Sequence, residues 1–264
     1  KGIDCEYIIL SSSKYDFLTC GFKHIRIPIE DENTLSQENY HTSILYNTLV
    51  ELNPDILLFD LVWYSTYCFI HELSCKKIFL VHQVHDRFFS INLPETELVF
   101  KPEHYDLVLG IEPFKSCLEM DYINPIIFRN KDEVMTKEEA LKKLNINPGQ
   151  EVCYFSINNK APNFQRIRKK YSYLDDAYCM VYSYNYEHGL FPEIDYYNAF
   201  DFIVCGGGYN QFWSVIYFDK EAAVEPIPLI FEDHNIRIKN GQDYTFSNNG
   251  ENGADQLVDI MMSL

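Results

Sequence analysis

The stretch Asp201-Phe-Ile-Val-Cys-Gly-Gly-Gly-Tyr-Asn-Gln-Phe-Trp213 decides the fold. Phe202 to Cys205 read as a buried strand, Gly206, Gly207 and Gly208 as a turn, and Asn210 to Phe218 as a helix. Residues without a Cβ between a strand and a helix let backbone amides, and the positive end of the helix dipole, come close to an anion. A tight turn with positive φ at Gly207 or Gly208 would call for the same glycines, so the triplet alone supports a phosphate site and a plain turn equally.

Working outward, Ile227 to Ile230 read as the next strand, followed by Glu232-Asp-His-Asn-Ile-Arg237. In a parallel sheet consecutive strand ends open on one rim, which would bring His234, Asn235 and Arg237 to the glycine turn. Alone, such a His is more often a cap and such an Arg more often solvated; beside the turn they read as ligand contacts. Upstream strands are expected at Val152–Ser156 and Tyr178–Tyr182, with a final helix near Gly253 to Met262.

The first half has the same texture. Strands are expected at Glu6–Leu10, His24–Ile29, Asp55–Phe59, Lys77–Val81 and Asp106–Gly110, with a helix from about Thr34 to Leu52. The later runs are continuously apolar, as in strands covered on both faces. From Asn124-Pro125 to Gly149 the composition turns polar, with a short helix Thr136–Leu144 opened by Thr136 and Glu139 in capping-box positions. The predicted fold class is therefore α/β, two doubly wound Rossmann-like lobes with a cleft between them. Their expected limits are 1–123 and 124–264.

The formal net charge of −17 among 264 residues argues against nucleic acid as a partner, because a phosphate polymer would be repelled by the surface as a whole. An anion must be held locally. Apolar runs are strand-sized, so no transmembrane segment is expected. The eight cysteines are scattered, never as Cys-x-x-Cys, and favour a reducing, cytoplasmic setting. The start, Lys1-Gly-Ile-Asp-Cys5, lacks the features of a signal peptide and reads as a truncated or processed end.

Other candidates lie at strand ends. His82 and His85, in Val81-His-Gln-Val-His-Asp-Arg-Phe-Phe89, suit a general base or an acceptor contact, and equally an ordinary polar loop. As a metal pair they lack a third ligand at a recognisable spacing, so no metal site is expected. Asp60 suits either a base or a cap for a following helix. Asn158 suits a diphosphate contact or a solvated turn.

The segment 201–213, together with Pro226–Ile230 and Glu232–Arg237, resembles the donor half of GT-B glycosyltransferases. The likeness is strongest to the branch with the peptidoglycan N-acetylglucosaminyltransferase (glycosyltransferase family 28 type). Asn53-Pro-Asp-Ile-Leu-Leu-Phe-Asp60 is similar to a segment of that family's acceptor domain, and Asn124-Pro-Ile-Ile127 to its crossing strand. The resemblance implies transfer of a sugar from a nucleotide diphosphate, a UDP-sugar foremost, to an unidentified acceptor hydroxyl. It implies neither a metal nor a further cofactor. It places Gly207, Gly208, Tyr209 and Asn210 at the diphosphate, and His234 and Asn235 at the sugar. Ser214 stands where the family carries a Glu that binds the ribose. It also implies that the family's first strand and Gly-His loop, source of its usual base, are missing from the chain as given, either because the chain lacks its beginning or because a partner chain or dimer supplies them. A nucleotide-sugar hydrolase or epimerase of the same fold, and a non-catalytic donor-lobe subunit, are the competing readings.

Overall fold

The computed structural model describes residues 4–94, 96–158, 160–185 and 189–264. The chain forms two compact units, one of Lys1–Val81, Asp86–Leu109 and Met261–Leu264, the other of His82–His85 and Gly110–Ile260. Beside the expected 124–264, the second unit gains His82–His85 and residues 110–123 and gives up Met261–Leu264. Glu112, in the gained part, is bound through its buried carboxylate to Arg237 of the same unit.

In the first unit, β1 (Ile8–Ser11) and β2 (Lys23–Arg26) pair in parallel, and α1 (Ile44–Leu52) leads to β3 (Ile56–Asp60) and its parallel neighbour β4 (Lys76–Val81). The expected helix over Thr34–Leu52 is shorter. It starts after Ser43, whose side chain accepts the Tyr46 amide, while the Glu30 carboxylate accepts the Ile44 and Leu45 amides. These acceptors satisfy the first-turn donors and set the start of the helix there. Tyr40, Leu49, Phe69, Leu73 and Cys75 form a core against which Leu10 and Leu57 pack. A hairpin, β5 (Ser90–Asn92) with β6 (Glu97–Val99), precedes β7 (Leu107–Gly110), which lies beside β4.

The second unit, after the short β8 (Asp121–Tyr122) and α2 (Lys137–Leu144), is built on β9 (Val152–Ser156), β10 (Cys179–Tyr182), β11 (Phe202–Gly206) and β12 (Ala222–Glu225). The capping box on α2 forms as expected, Thr136 and Glu139 each accepting from the other's backbone amide. The four strands make one all-parallel sheet in the order β10-β9-β11-β12. Between β9 and β10 runs α3 (Phe164–Lys170). The turn after β11 opens α4 (Tyr209–Tyr217), and α5 (His234–Gly241), α6 (Ser247–Gly250) and α7 (Gly253–Ser263) complete the series. β9 is buried along its whole length, and Cys153, Phe155, Ile167 and Val204 share one core. Burial pushes the thiols of Cys153 and Cys205 up to about 12, so both act as small apolar groups.

The strand expected at Ile227–Ile230 is not a strand. The ladder is carried instead by Ala222–Glu225, pairing Ile203 with Ala222 through Gly206 with Glu225. Pro226 and Pro228 cannot donate to a ladder, which ends pairing at Glu225.

Removing a ring from the centre of this sheet tests where stability resides. Phe155→Ala is expected to cost about 3–5 kcal/mol. In urea unfolding the midpoint should fall while the slope stays unchanged.

Candidate functional site

The second unit's site region is the carboxyl end of its sheet, where β11 ends in Gly206 and the chain turns into α4. None of the three glycines has positive φ, contrary to the expectation. Their uses differ. Gly207 donates its amide to Glu225 O at 3.0 Å, continuing the ladder. A Cβ built on it would lie 2.8 Å from Cβ of His234, so the glycine leaves room for that ring. Gly208 is the N-cap of α4 with φ −64° and ψ 148°, angles any residue adopts, and a Cβ there would meet nothing within 4 Å. A Cβ built on Gly206 would lie 3.4 Å from Cγ1 of Ile227.

His234 is the first residue of α5 and is 4% exposed. Its Nδ1 accepts the Ile227 amide at 3.0 Å, which makes Nδ1 the unprotonated nitrogen and Nε2 the protonated one. Nε2 is buried without a hydrogen-bond partner. Burial first, and then the Arg237 charge, lower the pKa of the ring and keep it neutral. Asn235 is exposed on the first turn of α5, its amide donating to Oδ1 of the cap residue Asp233 at 2.9 Å.

Arg237 lies at the glycine turn, but from its buried side. It is 1% exposed, with Nε and Nη2 each 2.8 Å from an oxygen of Glu112. Its Nη1 donates to Gly207 O at 2.9 Å and lies 2.8 Å from Glu232 Oε2. Burial alone would raise the Glu112 carboxyl, but the bonds and charge of Arg237, with the Gln83 amide and Trp213, hold it below its usual range. A guanidinium so engaged is a structural cation.

Tyr209 opens α4 with its ring buried and its hydroxyl committed, donating to Ile111 O at 3.0 Å and accepting the Ile126 amide at 2.7 Å. Asn210, next on the helix, is exposed. Ser214, the residue that the resemblance sets in the place of a ribose-binding Glu, is buried. His82 stacks edge-on against Tyr209, centroids 4.3 Å apart, and His85 donates its amide to Phe231 O at 2.7 Å. Both therefore border the glycine turn and the start of α5. Asn158 follows β9 and is exposed, its side chain accepting the Lys160 amide at 2.9 Å. Asp60 ends β3 in the first unit and is exposed. Among the described residues no three His, Cys, Asp or Glu side chains gather as metal ligands, and no helix is long and apolar enough to cross a membrane.

Three residues that sequence reasoning did not single out organise this region. Glu112 accepts the Gln83 amide at 2.6 Å and Trp213 Nε1 at 2.7 Å as well as Arg237. Gln83 Oε1 accepts the Asp233 amide at 2.9 Å, and Asp233 caps α5. A lone Glu after a buried strand was the available signal.

Among solved structures the chain resembles the spinosyn forosaminyltransferase SpnP, with a TM-score of 0.53 and 12% identity over 90% of this chain and 78% of that one. A glycosyltransferase from Rickettsia africae matches at 0.50 and 12%, over 97% and 79%. MurG from Acinetobacter baumannii matches at 0.44 and 9%, over 92% and 78%, a likeness too loose to single out a branch. No family model and no curated protein matches the sequence. The fold is α/β with parallel sheets in two lobes, the fold of GT-B glycosyltransferases.

The neutral state of His234 has a consequence for stability. Its folded pKa lies below the unfolded value of about 6.5, so below that pH the unfolded chain binds the extra proton. The stabilisation is complete above about 6.5 and is lost as pH falls toward the folded pKa. His234→Asn, which keeps an acceptor for Ile227, should lose less stability between about pH 7 and 5 than the parent, as measured by urea unfolding.

Proposed function

We propose that the chain is a glycosyltransferase that binds a nucleotide-diphosphate sugar, a UDP-sugar foremost, on its second unit. The observation that carries this reading is the opening at Gly208. It is a helix N-cap at the carboxyl end of an all-parallel sheet, and among the described residues no heavy atom beyond its chain neighbours lies within 4 Å of the position a side chain would take. The first-turn amides of a helix have no acceptor within the helix, and their dipole favours an anion. The likeness to solved glycosyltransferases supports the same reading at the level of fold.

In this reading the diphosphate lies at Gly208 and Asn210, where backbone dipoles stabilise the charge that the leaving diphosphate gains in the transition state. Asn235, exposed on the neighbouring helix, serves the sugar. His234 acts from behind the turn as its packing partner, and Arg237 as its internal anchor. A base takes the proton of the acceptor hydroxyl as its oxygen attacks the anomeric carbon and the sugar–phosphate bond breaks. His82 and His85 border the turn and are the candidates for that base. The transfer proceeds without a metal, as the sequence resemblance implies, and the protein works in the cytoplasm.

The two inner glycines separate a ligand site from a plain turn. Gly207→Ala must push against His234, so it is expected to lower the melting temperature whatever binds. Gly208→Ala should melt with the parent and yet bind UDP about tenfold or more weakly by calorimetry, about 1.4 kcal/mol. Asn158→Ala should lose less. Equal affinity in Gly208→Ala and the parent, or no binding of any nucleoside diphosphate by the parent at millimolar concentration, would sink the donor site.

A further inference from the structure

We propose that Arg237 and Glu112 are positioning residues that lock the Gly207–Gly208 peptide with its carbonyl turned inward and its N–H turned outward, toward the ligand. The role at the ligand rests on the donor reading above; the lock itself does not. A trans peptide is planar, and its C=O and N–H point in opposite directions. Gly207 O is held by Arg237 Nη1 at 2.9 Å, inside a buried network. The N–H of the same peptide belongs to Gly208, and it is therefore directed away from the buried guanidinium.

Such a peptide needs a lock. With no Cβ on either side, a Gly-Gly unit has the least steric resistance to rotation about its flanking bonds. The flipped peptide would present a carbonyl oxygen where the donor stood, and an anion would meet a negative end instead of a positive one. Arg237 blocks that flip from inside. Its own direction is fixed by two parallel bonds to Glu112, both at 2.8 Å, the rigid fork that a guanidinium makes with a carboxylate. Glu112 is fixed in turn by Trp213 of α4 and by the Gln83 amide. One carboxylate therefore sets both the donor turn and the segment carrying His82 and His85.

The test uses the whole chain with 15N-labelled glycine and two variants. Arg237→Lys keeps a charge opposite Glu112, but a single ammonium cannot reproduce the fork and also hold Gly207 O. Arg237→Met with Glu112→Gln removes both charges together, an exchange that often leaves stability intact. In both, the Gly208 amide resonance should shift or split, and UDP affinity by calorimetry should fall tenfold or more while cooperative melting is retained. An unmoved Gly208 resonance in the variants, or a moved one with parental UDP affinity, overturns the proposal. If the parent itself fails to bind UDP, the donor reading falls, and the Gly208 resonance alone decides whether the lock exists. If the double variant does not fold, Arg237→Lys supplies the same two readouts.

Discussion

A carboxylate and a guanidinium, each about 1% exposed, hold the second unit's candidate site together. Burying two charges is costly, several kcal/mol for each ion even after relaxation. The cost is offset when every lone pair and proton finds a partner, and here nearly all do. Glu112 accepts four hydrogen bonds, and Arg237 reaches Glu112, Glu232 and the Gly207 carbonyl. Such a pair is weak evidence of added stability and stronger evidence of a fixed geometry, because breaking one partner leaves an uncompensated buried charge. The segments it fixes are the ones on which the functional reading depends.

The same pair bears on how an anion would be held. Arg237 is the nearest candidate cation by sequence, yet its charge is matched by Glu112 and Glu232. On a chain with a net charge of −17, attraction at the turn must come from oriented peptide dipoles and not from that side chain. The direction of each peptide in the turn then matters more than its composition.

Much of the fold was legible because its signals are strong and local. The apolar runs of β4, β7, β9 and β11 read directly as covered strands, and the capping box at Thr136 marked α2. The site was legible in part. The glycine turn, Asn210, His82, His85, His234 and Asn235 came from strand ends, which a parallel sheet brings to one rim. The direction in which each side chain points was not legible. Arg237 lies on a helix whose inward face depends on a partner distant in sequence, Glu112, and Ser214 is buried although it reads as a polar position on α4. Nothing in a local window distinguishes a solvated arginine from one that meets a carboxylate 125 positions away.

The segment read wrongly as a strand shows why composition at one site can serve another. Pro226 and Pro228 have no amide hydrogen, so of the three residues 226–228 only Ile227 can donate. Its one hydrogen bond goes to His234 Nδ1. That bond sets the tautomer and holds the ring against Gly207, while burial and the Arg237 charge keep it neutral. A true strand would have spent the Ile227 amide on a ladder and left the histidine free to rotate. The unpartnered Nε2 proton costs roughly 1–3 kcal/mol, a penalty that the packing of the turn must cover. The prolines that end the sheet at Glu225 thus also immobilise the ring behind the glycine turn, and the ring in turn requires glycine at position 207.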